Sequence, residues 1–350
     1  MTGSREPRFC YLVFCHRQPE LVARIARAIT TSSPGADVVL RHDRAGDLDF
    51  GTLPPRTHEL VSEIAITWGS WAMVAAQLEA LTWVREHLDP DWVVLVSGQD
   101  HPLVDLAGWE RQVVAGGTDA LVAAWPLDPL RRETRTMDRG DWLTRRYTYR
   151  WRAVPHLRPD RWSTPFLRRA SRAVWYRYLT RLQVGWAVNE MPRGLPWRVG
   201  VRLPRRERAA FVPWYGEQWM ALGRAAVNSV LRSADQDTTT RRRFEQSLIP
   251  DESYFQTVLC SDADLTVADR SLSWKHFTGS DPHPREVTLE DLPAARVSGR
   301  PFVRKVDATM PAVLDALDRA IGGAVADSGV QPDPAELVVG DADAVVDGLP

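Results

Sequence analysis

RFCYLVFCHRQPELVARIARAIT, residues 8–30, sets the fold class. Its first nine residues are an almost unbroken apolar run, the pattern of a strand covered on both faces. From Pro19 the period changes. Leu21, Val22, Ile25 and Ile29 recur at helical spacing, so 19–30 reads as a helix. The alternation continues outward. DVVLRHD (37–43) reads as a second strand, WAMVAAQLEALTWVREHL (71–88) as a long helix, WVVLVSG (92–98) as a third strand and DALVAAW (119–125) as a fourth. Strands separated by helices build a mostly parallel central sheet with helices on both faces, an α/β fold. Such a sheet binds ligands beyond the carboxyl ends of its strands. His16, His42, Asp43, the stretch Ser97–Asp100 and Trp125 therefore stand where a ligand is expected.

Composition narrows the function classes. Of 350 residues, 44% are apolar and 25% charged, which excludes disorder as the main state. The formal net charge of −1 gives no global attraction to nucleic acid, and none is expected as a partner. No apolar run is long enough to span a bilayer, and MTGSREPRF lacks the apolar stretch of a signal peptide. The three cysteines, Cys10, Cys15 and Cys260, form no CxxC, so neither a disulfide framework nor a thiolate metal site is expected. A cytoplasmic location follows as the expectation. Only Lys275 and Lys305 of the 44 basic residues are lysines, a skew that a GC-rich genome produces without any functional cause.

Beyond residue 125 the character changes. Residues 131–181 hold 15 arginines against four acids, with Trp142, Trp151, Trp162 and Trp175 interleaved. A solvated basic face accounts for this. Contact with an anionic membrane surface or polymer is the alternative, and it carries the competing reading of the chain as a non-catalytic binder. Regular structure returns from about 211 with QWMALGR (218–224), a helix to about 233, a helix beginning near PDES (250–253), short runs LTVADR and SLSWKHF, and PFVRKVD (301–307). A final helix is expected over 309–322. The tail 324–350, with six acids and no basic residue, is expected to be disordered.

No GxGxxG, Walker A, GxSxG or HExxH string occurs. Four Asp-x-Asp strings do, at Asp47/Asp49, Asp89/Asp91, Asp262/Asp264 and Asp341/Asp343. None directly follows a buried strand, where a pair holding a metal on a sugar nucleotide would sit. The chain reads Ser97-Gly98-Gln99-Asp100 there instead, so a bound diphosphate would have to be neutralised by cationic side chains. PDES can be a plain helix start, because proline and acids are favoured in a first turn. Arg285, Arg304 and Lys305 can equally be a solvated surface, and Trp274 and His276 alternate residues of a strand.

Six segments in the same order change that balance: ITWGSWAMVAAQLEAL, VVLVSGQDHPL, YGEQWMALGR, LIPDESYFQTVL, LSWKHF and RPFVRKVD. Together they resemble glycosyltransferase family 14, the core 2 and I-branching β1,6-N-acetylglucosaminyltransferases and peptide O-xylosyltransferases. The resemblance runs over roughly residues 8–307. It implies a GT-A-type fold, inversion at the anomeric carbon and no metal or other cofactor. Carried over position by position, it makes Glu252 the catalytic base and Lys305 a donor-diphosphate contact. Arg285 shares that task across a gap of about three residues, and the adjacent Arg304 is counted with them. Trp274, His276 and Trp219 fall on the acceptor side, with His276 where the branching enzymes have tyrosine. His16, Asp43, Ser97 and Asp100 lie beside the nucleotide.

The implied reaction moves a sugar from a UDP-sugar to an acceptor hydroxyl of a glycan, glycolipid or small molecule. N-acetylglucosamine is the first sugar and xylose the second. Residues 1–125 would bind the nucleotide, 126–307 would supply acceptor site, base and cations, and 308–323 would close with a helix. Two departures stand out. Asp138 and Asp141 precede Trp142 where the family has lysine and arginine, so the acceptor is expected to differ from that of the animal core 2 enzymes. The Golgi anchor and paired cysteines of animal members are absent, which suggests a soluble bacterial member, with peripheral membrane contact available through 131–181.

Overall fold

The computed structural model describes residues 6–46, 48–132, 139–154, 184–187, 197–278 and 283–324. Most of the basic stretch, including Asp138, Trp162 and Trp175, lies outside these residues, as do Asp47, Asp341, Asp343 and the acidic tail. The strands are β1 Phe9–Phe14, β2 Asp37–Asp43, β3 Thr57–Ser62, β4 Trp92–Ser97, β5 Asp100–Pro102, β6 Ala120–Leu121, β7 Ala124–Pro126, β8 Tyr149–Val154, β9 Val184–Ala187, β10 Trp197–Arg202, β11 Trp214–Gly216, β12 Ala221–Gly223, β13 Val267–Ala268, β14 Ser273–Lys275 and β15 Phe302–Arg304.

Seven strands form the main sheet in the order β13-β6-β12-β4-β1-β2-β3. All neighbours are parallel except β12, which runs antiparallel to both β4 and β6. β1 shows why its sequence is apolar throughout. Phe9, Tyr11 and Val13 pack into one core, while Cys10, Leu12 and Phe14 pack into the other. The first core is closed by the helices Pro19–Ser32, Leu106–Ala115 and Pro311–Ala324, the second by Trp71–His87, Arg224–Gln236 and Tyr254–Ser261. Each large apolar side chain moved from water into such a core contributes about 1.5–3 kcal/mol. The central sheet with helices on both faces is thus as expected, and the mixed α/β architecture is consistent with a GT-A-type glycosyltransferase.

The structure corrects several details. The expected fourth strand, 119–125, is broken in two. β6 joins the main sheet, while β7 pairs with β11 in a separate ribbon. A helix begins next to PDES, as expected, but PDES itself is not its first turn. Pro250–Glu252 is a single 3-10 turn, Ser253 breaks the path, and the helix starts at Tyr254. β3 and the helix Leu106–Ala115 have no counterpart in the sequence reading: THELVS is polar and half-exposed at the sheet edge, as an edge strand should be. Of two three-stranded sheets, β8-β10-β9 and β14-β15-β5, the latter sits beside the carboxyl end of β4. It brings residues 273–275 and 302–304 against Asp100–Pro102, and so creates the site.

Candidate functional site

Register fixes which side chains share a face. Lys275 pairs with Arg304, and Arg304 pairs with Asp100. Arg304 Nη1 donates to Asp100 Oδ2 at 2.8 Å and to Ser97 Oγ, and its guanidinium lies over the Trp219 ring, 5.6 Å from the centroid. Asp100 is wholly buried. Its Oδ1 accepts from Ser273 Oγ at 2.8 Å and its Oδ2 from the Ser97 amide at 2.8 Å. Ser97 and Asp100, expected beside the nucleotide, therefore tie the end of β4 to the small sheet. Trp219, expected to face an acceptor, is buried against Phe14 at a centroid distance of 6.1 Å and supports Arg304 from below. A ring so enclosed offers no stacking platform.

The same face carries two residues that the sequence reading passed over. Lys275 Nζ is 2.8 Å from Glu217 Oε2, which also accepts from Ser271 Oγ at 2.8 Å. Gln256 Nε2 donates to the Glu217 carbonyl at 2.7 Å, which joins this row to the helix following Glu252. Two-residue alternation along SWKHF was the available signal, since Lys275 must point away from Trp274 and His276.

Trp274 and His276 occupy the opposite face, their rings edge to face at 5.9 Å. Arg285 Nη2 lies 3.0 Å from His276 Nδ1 and donates to Asp291 Oδ1 at 2.7 Å. Burial opposes ionisation of Asp291, yet the Arg285 guanidinium and two bonds from Thr288 draw its carboxyl down to about 2. The Val287 amide donates to the Lys305 carbonyl at 3.0 Å and keeps the Arg285 segment beside β15. Arg285 thus stands near Lys305, already paired with a carboxylate.

His16 and Asp43 stand at the ends of β1 and β2. Partial desolvation, the Arg17 charge and the Lys305 charge lower the His16 pKa, while Asp43 raises it. His16, Asp43 and Lys305 therefore lie close enough to feel one another. Asp43 is also structural. Arg41, fully buried, donates to one of its oxygens, and the Ile66 amide donates to the other at 2.8 Å. Among the described residues Lys305 has no carboxylate partner, whereas Arg285 and Arg304 are each held by one.

Glu252 rests on a clamped turn. Ile249 takes a left-handed conformation at φ 47°, its amide donates to the Gly69 carbonyl at 3.1 Å, and its carbonyl accepts from the Tyr147 hydroxyl at 3.1 Å. Glu252 Oε2 accepts from Arg146 Nη1 at 2.9 Å. Asp251 beside it is buried, and burial together with the Glu252 charge pushes its carboxyl up to about 7. Arg146 gave no signal in the sequence, being one arginine among many. Among the described residues no group of three or more His, Cys, Asp or Glu side chains could hold a metal, and no helix is long and apolar enough to cross a membrane.

Residues 193–298 match the family model described as Core-2/I-Branching enzyme. The match takes in under a third of the chain. It contains Glu217, Glu252, Trp274, Lys275, His276 and Arg285, while Arg304 and Lys305 follow just beyond it. Over 116 residues the chain is 34% identical to a protein named beta-glucuronosyltransferase GlcAT14A from Arabidopsis thaliana. The match takes in 31% of this chain and only 25% of that relative. A solved structure, HddC from Yersinia pseudotuberculosis, aligns at a TM-score of 0.24 and 6% identity over 35% of this chain and 60% of its own, too slight a likeness to bear on the fold.

Proposed function

We propose that the chain is an inverting, metal-independent glycosyltransferase that moves a sugar from a UDP-sugar to an acceptor hydroxyl. The observation that carries this reading is Glu252 on its clamped turn, inside the family-matched segment and followed by the helix whose Gln256 holds Glu217, the carboxylate partner of Lys275. Glu252 takes the proton of the acceptor hydroxyl as that oxygen attacks the anomeric carbon. The bond to the diphosphate breaks on the opposite side, and UDP leaves with its electrons. Negative charge then grows on the diphosphate, where Lys305 meets it as a compact ammonium. Arg285 and Arg304 add positive potential while remaining tied to Asp291 and Asp100. His16 and Asp43 border the uridine. Trp274 and His276 serve the acceptor side.

N-acetylglucosamine remains the first sugar to test and xylose the second. The name of the Arabidopsis thaliana relative adds glucuronic acid. A panel of UDP-sugars scored by thermal shift, followed by transfer assays with the stabilising donors, tests the reading. A donor at 100 times its dissociation constant stabilises the fold by about 2.7 kcal/mol. No stabilisation by UDP or any UDP-sugar would overturn the proposal.

A further inference from the structure

We propose that Asp251 is a positioning residue that holds a proton beside Glu252 and so keeps Glu252 the one ionised carboxylate of its turn. The inference rests on the reading of Glu252 as the base. Asp251 is buried, and its Oδ1 is enclosed with no hydrogen-bond partner. An ionised carboxylate is acceptor-only and strongly hydrated, so enclosure that leaves one oxygen unpartnered disfavours its charge, and a bond from its own backbone amide offsets this only in part. The groups facing it explain which carboxylate gives way. Glu252 is half-exposed and accepts from Arg146 at 2.9 Å. Tyr147, with its hydroxyl bound to the Ile249 carbonyl, is buried and has its ionisation pushed well above the ordinary range. Among the described residues, the charged groups acting on Asp251 are the Glu252 carboxylate and the Arg146 guanidinium. With Asp251 protonated the charges of Arg146 and Glu252 balance. With Asp251 ionised, an uncompensated negative charge stands beside the base and raises its proton affinity.

The first test needs no substrate. Carboxyl carbons of aspartate labelled with carbon-13 are titrated by NMR in the full chain, with Asp251→Asn to assign the signal. The Asp251 carboxyl is expected to stay protonated through about pH 6 and to ionise near neutrality, in line with a pKa of about 7. The thermodynamic counterpart follows by linkage. This carboxyl is bound to its proton in the folded chain and not in the unfolded one between about pH 4 and 7. Its contribution is complete below about pH 4 and is lost as pH rises. Relative to Asp251→Asn, the folded-to-unfolded ratio of wild type should fall about tenfold per pH unit across that window. Ionisation of Asp251 in the ordinary carboxylate range would overturn the inference, and the wild-type titration reads this even if the variant folds poorly.

The second test concerns rate. Asp251→Asn should transfer within a few-fold of wild type at about pH 6 and lose the wild-type inflection near neutrality, while Glu252→Gln is slow at every pH. A dead but folded Asp251→Asn would make Asp251 itself the base and overturn the proposal. Absence of transfer in the wild type, with the carboxyl titration as expected, would count against the proposed function and leave the protonated state of Asp251 standing.

Discussion

Arg146 and Glu252 are joined by a 2.9 Å ion pair across 106 residues of chain. The pair ties the helix Arg139–Thr148 to the 3-10 turn Pro250–Glu252, and Tyr147, the next residue, seals the same junction from its buried side. The candidate base is thereby fixed in direction as well as in place.

Glu252→Gln keeps the size of the side chain but cannot take up the acceptor's proton. Transfer should fall about 10²–10⁴-fold, the usual weight of a positioned base. UDP affinity should hold, because the cations on the diphosphate are untouched. The ion pair is partly exposed, so the stability cost should stay near 1 kcal/mol or below. A folded variant working within a few-fold of wild type would sink the assignment of Glu252.

Arg146→Met removes the positive charge and keeps much of the packing. The acid limb of the pH–rate profile should move to higher pH, because a carboxylate without its cation binds a proton more tightly. The check is the profile of kcat/KM against pH, and an unmoved acid limb would separate Arg146 from the chemistry.

Lys305 and Arg304 are neighbours with different expected losses. Lys305→Ala should weaken UDP binding by about 1.5–3 kcal/mol and leave uridine binding and stability nearly unchanged. Arg304→Ala leaves the buried Asp100 carboxylate without its cation, which should cost about 3–5 kcal/mol of stability. Denaturant unfolding and calorimetric titration with UDP and uridine distinguish the two. Equal losses of stability would contradict this division.

Asp291 gives a pH signature of opposite sign to that of Asp251. Its folded-state carboxyl lies near 2, below the usual unfolded value, so its contribution is present above about pH 4 and is lost as pH falls toward 2. Asp291→Asn should therefore cost about 2 kcal/mol at neutral pH, and the gap to wild type should close on acidification. A gap independent of pH would mean that the Arg285–Asp291 pair contributes nothing through charge.

Transfer should survive chelation by EDTA. Ser97-Gly98-Gln99-Asp100 stands where an Asp-x-Asp pair would be, and Asp100 spends both oxygens on Ser97, Ser273 and Arg304. Loss of transfer in EDTA, restored by manganese, would refute the metal-free mechanism.

The sequence by itself determined β1, β2, β4 and the helices that cover the sheet on both faces, because strand and helix periods are local properties. β2 spans the residues of DVVLRHD, and β1 divides its side chains between the two cores by simple alternation. It also brought out Glu252, Arg285 and Lys305, through motifs whose order along the chain is itself information. Tertiary structure decided the rest. The break of 119–125 into β6 and β7 depends on pairing with β12 and β11, which arrive about a hundred residues later. Arg146, Glu217 and Lys275 entered the site through ion pairs, and an ion pair between distant residues leaves no trace in either local sequence. Trp219 showed the converse. Its motif suggested a ligand face, but whether a ring meets solvent or Phe14 depends on what packs over it, and only the folded chain settles that.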